Sequence, residues 1–270
     1  MFSLASNLEF KLRQNVFGSY VYHNESFALN CPFLSIKAFF KNRAFVLIFS
    51  TGIFLIAMLL ITPSQAGIGL DFARLREHFL NSSSNTNEAA FNDWHSLIDR
   101  NKGLATATTL KQVNDFVNKQ IRFESDVQIW NKNDYWATPM QSLGMQRGDC
   151  EDYSIAKYFT LAAAGVPEEK LRLMYVQAVP KNQYPQAHMV LAYYATPDAE
   201  PLVLDNLNSE ILPASARVDL KPVYSLARRD TSSSNMDNND TQSRLKEAMR
   251  QTRMSVWESL IKRAQAEGFD

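Results

Sequence analysis

Cysteine is almost missing from this chain: 270 residues carry two, Cys31 and Cys150. That scarcity excludes a small disulfide-stapled scaffold. Histidine is nearly as rare. The chain has four, of which only His78, His95 and His188 lie beyond Ala66, so few imidazole bases are on offer. Neither sign of charge is in excess, with 28 basic and 28 acidic side chains. Five basic and two acidic residues fall before Gly67, which leaves a body of 23 basic and 26 acidic residues. Such a balance gives no reason to make nucleic acid or an anionic membrane the main partner. There is no internal repeat, and 46% hydrophobic residues exclude wholesale disorder.

One long apolar run is present, Phe45 to Ile61, introduced by Lys41, Asn42 and Arg43. It is followed by Thr62-Pro63-Ser64-Gln65-Ala66-Gly67. The basic flank, greasy middle and small residues read as a secretory signal cleaved after Ala66. The alternative is a retained inner-membrane anchor over residues 44–61, because the run is close to spanning length. On either reading the body is exported, and membrane contact is confined to an uncleaved leader. Met1 to Phe40 shows no sustained periodicity, for which an over-called translation start is the plain explanation. Cys31 leaves with the leader after cleavage, so Cys150 becomes the sole thiol of a protein in an oxidising compartment.

Four regions are expected: a leader over 1–66, a catalytic domain over 67–227, a polar linker over 228–242 and an amphipathic helix over 243–270. Helical spacing occurs within Gly67–Leu80, Ala89–Arg100 and Thr106–Ile121. The last carries one stripe of Leu110, Val113, Phe116, Val117 and Ile121. An irregular aromatic stretch follows (Trp130, Tyr135, Trp136, Pro139), then Gly148, read as a turn residue. Asp149–Ala164 is expected to be a helix, ended by Gly165 and Pro167. Three strands are expected at Leu171–Val179, Ala187–Ala195 and Pro201–Leu207. Helices followed by sequential strands indicate an α+β domain with an antiparallel sheet. The terminal helix, with Trp257, Leu260, Ile261 and Ala264 on one side, is expected to pack on the body.

The chemistry concentrates in Gly148-Asp149-Cys150-Glu151-Asp152-Tyr153. A cysteine in the first turn of a helix faces the positive dipole end and unpaired N–H groups, which favour thiolate. Those N–H groups also suit a developing oxyanion. Asp149, Glu151 and Asp152 oppose the thiolate, and something must neutralise them. A cation between Asp149 and Glu151 would do so, and hard oxygen ligands suit calcium. Capping and dipole compensation explain the same acids, most simply for Asp152, while Asp149 and Glu151 are evenly balanced between the two roles. A thiolate nucleophile needs an imidazole partner. His188 opens a strand beside a loop, and Asp205 ends the next strand. Counting from a hairpin centred on Thr196 and Pro197 brings the two within about one rung. A buried carboxylate there would orient the ring, as the third member of a triad does.

The strings Asp134-Tyr135-Trp136-Ala137-Thr138-Pro139 and Gly148-Asp149-Cys150-Glu151-Asp152-Tyr153, the latter running into Ile155-Ala156-Lys157-Tyr158, resemble the bacterial transglutaminase-like cysteine peptidases. His188-Met189-Val190-Leu191 and Val203-Leu204-Asp205-Asn206 fit the same family, and the resemblance covers roughly residues 91–226. It implies a papain/transglutaminase-like fold with a Cys-His-Asp triad, mapping onto Cys150, His188 and Asp205. It also implies calcium held by Asp149 and Glu151, and Trp136 near the active site. Family members of the LapG type are periplasmic proteases that cut the amino-terminal region of large surface adhesins and so release biofilm cells. An inner-membrane receptor of cyclic di-GMP holds them inactive. The long leader and the charged carboxy-terminal helix depart from that pattern.

The leading expectation is therefore a calcium-dependent endopeptidase acting on a surface adhesin. The same triad with an amine acceptor would instead cross-link proteins. A non-catalytic docking module would carry a broken triad, whereas this one is intact.

Overall fold

A computed structural model describes residues 68–83, 88–179, 184–226 and 241–270. The apolar run, the cleavage site after Ala66, Cys31 and the linker positions 228–240 lie outside the described residues. Among the described residues no helix is long and apolar enough to cross a membrane.

The amino-terminal part is helical: α1 (Phe72–Asn81), α2 (Glu88–Asn101) and α3 (Thr106–Gln120). Asp71 caps α1 by accepting from the Arg74 N–H at 3.1 Å. The expected stripe of α3 is its buried face, with Leu110, Val113 and Val117 all at most 1% exposed. The aromatic stretch is more ordered than its composition suggests. It holds a two-residue strand β1 (Arg122–Phe123), a short helix α4 (Asp126–Trp130) and α5 (Pro139–Met145), then a two-residue strand β2 (Arg147–Gly148) parallel to β1. Thr138 and Pro139 start α5 by a capping box with Gln141 and proline in the first turn.

Helix α6 (Cys150–Ala163) is the centre of the described body, and every residue from Asp152 to Ala163 is buried. A helix apolar all round must be enclosed by other elements, and α6 packs against α3, α5 and the sheet. The sheet contains five antiparallel strands in the order β6-β5-β4-β3-β7: β3 (Leu171–Ala178), β4 (Gln186–Tyr193), β5 (Leu202–Leu204), β6 (Leu212–Pro213) and β7 (Leu220–Leu226). Two of them go beyond the three expected from sequence. Strand β7 carries Pro222 and pairs with β3 across a register shift at Tyr175/Val176. A proline within an apolar run masks an edge strand, where the missing N–H costs no ladder bond.

The carboxy-terminal helix α7 (Thr241–Glu267) packs on the body. Trp257 meets Tyr158 of α6 edge-on at 5.2 Å between ring centroids, and Phe269 just beyond α7 meets Phe159 at 4.9 Å. The described body closes on itself: Gly69 and Asp270 exchange backbone hydrogen bonds of 3.2 and 2.9 Å.

Candidate active site

Cys150 stands at the first position of α6, after Asp149 in extended conformation. Among the described residues it is the only cysteine, free and half-buried. The α6 start lies against β4, where the Ser154 hydroxyl donates to the Met189 carbonyl at 3.1 Å. The Met189 backbone N–H faces the Cys150 sulfur. Met189 follows His188, so the helix and the strand bring the thiol and the imidazole-bearing segment to one place.

His188 is buried in β4, and its Nε2 lies 2.7 Å from Asp205 Oδ1. The register differs from the expected one. Leu191 pairs with Leu204, Ala192 with Val203 and Tyr193 with Leu202, so Asp205 follows on opposite Val190 rather than opposite His188. The turn is displaced towards the carboxy-terminal side, and the imidazole reaches the carboxylate diagonally, along the same face of the sheet. Three further groups hold Asp205. Arg217 Nη2 donates to Oδ2 at 2.7 Å, the Leu207 N–H donates to Oδ1 at 3.1 Å, and Asn118 anchors the Asp205 carbonyl at 2.9 Å. Burial pushes the Asp205 carboxyl up, yet His188, Arg217 and the Leu207 N–H together hold it down at about 2. The carboxylate is thus ionised at neutral pH and can only accept, so Nε2 carries the proton of this hydrogen bond.

The acids around Cys150 form two overlapping clusters, Asp149-Cys150-Glu151 and Asp126-Asp149-Asp152, each with its candidate ligand atoms within 4.8 Å of one another. Asp152 does act within α6's first turn, accepting from the Asp149 N–H at 3.3 Å and from the Ala137 N–H at 2.8 Å. Asp126, at the start of α4, accepts from the Tyr135 N–H at 2.6 Å. Oδ1 of Asp126 and Oδ1 of Asp149 are buried with no hydrogen-bond partner. Burial, reinforced by the neighbouring carboxylates, raises Asp126, Asp149 and Asp152 above the ordinary range. Like charges packed together out of water, with orphaned oxygens, are a donor set suited to a hard divalent cation. The residues therefore fit calcium, with Asp126 joining Asp149 and Glu151 as a candidate ligand.

The thiol feels the same field. Cys150 Sγ donates to Glu151 Oε2 at 2.7 Å. Burial first, then the charge and hydrogen bond of Glu151 and the charge of Asp149, push the thiol well above its usual range; the Met189 N–H opposes them. Without a neutralising cation this sulfur is a thiol.

Gly148 is needed for closeness rather than for a turn. A Cβ there would sit 2.6 Å from Asp152 Cβ and 2.8 Å from its Oδ2. Trp136 is buried in the loop whose next residue, Ala137, binds Asp152. His78 is exposed on α1, while His95 stacks on Phe72 at 3.7 Å and lies 3.3 Å from Asp99.

Three residues of the site escaped the sequence reading. Asp126 lies 23 positions before Asp149 with no spacing signal. Arg217 sits in an irregular segment. Lys157 was detectable: it is a cation inside an otherwise apolar helix, 1% exposed, and burial lowers it to about 7 against the pull of Asp205.

Residues 84–236 match the family of bacterial transglutaminase-like cysteine proteinases. The chain belongs to this family. Among solved structures, EGTA-treated LapG of Legionella pneumophila is 38% identical, covers 70% of this chain and 97% of its own, and superposes with a TM-score of 0.54. The calcium-bound form of the same protein is 37% identical, with 66% and 98% covered and a TM-score of 0.52. A search of curated proteins gave no match. The chain is a transglutaminase-like cysteine peptidase, and its fold is the helix-plus-antiparallel-sheet arrangement expected from sequence.

Proposed function

We propose that this protein is a calcium-dependent cysteine endopeptidase of the periplasm, working through Cys150, His188 and Asp205. The observation that carries the reading is the buried His188–Asp205 pair on the strand whose next N–H faces the Cys150 sulfur. Nδ1 of His188 takes the thiol proton, and the sulfur attacks a peptide carbonyl carbon. Negative charge developing on the carbonyl oxygen meets the backbone N–H of Cys150 at the start of α6. As the C–N bond breaks, the imidazolium returns its proton to the leaving amine. Water, losing a proton to Nδ1, then adds to the thioester, and the C–S bond breaks to release acid and thiol. Asp205 keeps the ring in the productive tautomer, and Arg217 fixes Asp205 in turn.

Asp126, Asp149 and Glu151 would hold the calcium ion. When bound, it supplies positive charge where carboxylates otherwise suppress the thiolate. Calcium-bound and EGTA-treated forms of the 37–38% identical relative support calcium as the ion. By family resemblance, the substrate is the amino-terminal region of a large surface adhesin. The same resemblance makes a cyclic di-GMP receptor of the inner membrane the restraining partner and biofilm release the outcome. The test is incubation of the purified protein with envelope adhesin fragments, with Cys150→Ala as control and the cut site mapped by mass spectrometry. Cleavage should require Cys150 and stop in excess chelator. Activity that survives Cys150→Ala would end the proposal, and activity undiminished by chelator would remove the metal.

A further inference from the structure

The segment Asp134–Thr138 is held from two sides. Its inner side serves the acids: the Tyr135 N–H donates to Asp126 at 2.6 Å and the Ala137 N–H to Asp152 at 2.8 Å. Its outer side is held by α7. Arg253 pairs with Asp134, Arg263 Nη2 donates to the Trp136 carbonyl at 2.6 Å, and Thr138 donates to Glu267 at 2.5 Å. Arg263 also donates to the Tyr135 hydroxyl at 3.1 Å and lies 5.1 Å from the centre of that ring. Contacts thus fall on successive residues, alternating between the acids and the terminal helix. The helix is itself fixed, because Trp257, Leu260 and Ala264 are buried to 1% or less.

We propose that α7 is a positioning element for the acid cluster: Arg263, assisted by Arg253 and Glu267, sets the affinity for a divalent cation through the 134–138 segment. The inference rests on the reading of that cluster as a calcium site. A carboxylate ligand needs its orientation fixed by a second layer of hydrogen bonds, and loss of that layer commonly weakens metal affinity about 10–100-fold. Here that layer is the Tyr135 N–H on Asp126, with the Ala137 N–H steadying Asp152 beside the ligands, and the direction of both is set by what grips the outer side of the same segment. Arg263 is suited to this because its fork spans a backbone carbonyl and a phenol together. The residues that grip lie outside the span 84–236 matched by the family.

The test is calcium titration of the full-length protein by calorimetry, well below its melting temperature, for the wild type, Arg263→Ala and Arg263→Lys. Arg263→Ala should weaken Ca2+ binding about tenfold while the far-ultraviolet spectrum is unchanged, with partial rescue in Arg263→Lys. If Arg263→Ala does not fold, Arg253→Ala decides, with a smaller weakening expected in the same direction. Folded variants that bind Ca2+ as tightly as the wild type would overturn the positioning role alone. A wild type that binds no Ca2+ would overturn the metal reading and this inference with it.

Discussion

Replacing Arg217 with methionine keeps much of the aliphatic stem and removes the charge that meets Asp205 Oδ2 at 2.7 Å. Both groups are buried, with side chains 2% and 0% exposed. Removing one partner from a buried ion pair costs about 3–5 kcal/mol, because the other charge is left without compensation. For a body of this size that lowers the melting temperature by roughly 6–20 °C. The pH dependence identifies the cause. Asp205 has its carboxyl lowered from 3.8 to about 2, so its contribution is present above pH 3.8 and is lost as pH falls towards 2. Complete, that contribution is on the order of 2.5 kcal/mol, shared between His188, Arg217 and the Leu207 N–H. Urea unfolding at pH steps from 7 to 2, with sulfate added to keep both proteins folded, should give a wild-type advantage that is steady near neutrality. That advantage should narrow as the medium approaches pH 2. Arg217→Lys should fall between the two, since it restores charge without the fork. A gap that is absent, or that persists unchanged at pH 2, would refute the argument.

Alkylation of Cys150 by iodoacetamide near pH 7.5 should be slow in chelator and faster with calcium, because burial, Glu151 and Asp149 raise the thiol; equal rates would remove the link between acids and sulfur. Glu267 is raised by burial from 4.5 to about 7, so its stabilising contribution is full below pH 4.5 and lost as pH rises through about 7. Glu267→Gln keeps an acceptor for Thr138 and should remove that loss, up to about 3 kcal/mol in favour of the variant at pH 8. Urea titrations at pH 4.5 and 8 read it directly. Gly148→Ala should cost about 1–3 kcal/mol by overpacking against Asp152, measurable as a lower urea midpoint, and should disturb the bond from Ala137.

How much was legible depended on whether the signal was local. The α3 stripe, the α6 boundaries and the strands β3 and β4 are periodic patterns, and they emerged nearly as expected. Cys150, His188 and Asp205 could be singled out in the sequence because cysteine and histidine are so few, and the structure pairs the last two. Strand β7 was hidden by Pro222 and by a partner that does not neighbour it in sequence. The His188–Asp205 contact was anticipated, but its register was not, since a hairpin's centre depends on how its loop packs. Asp126, Arg217 and the grip of α7 on Asp134–Thr138 are tertiary facts. No spacing rule connects residues 126 and 149, or 263 and 136. Gly148 was misread because closeness to Asp152, unlike a turn, leaves no mark in neighbouring residue types.

The joint between Gly69 and Asp270 has a practical meaning. Because Phe269 is wedged beside Trp94 and Phe159, the residues after α7 act as a latch on α2 and α6 together. An affinity label fused directly after Asp270 would pry at this seam.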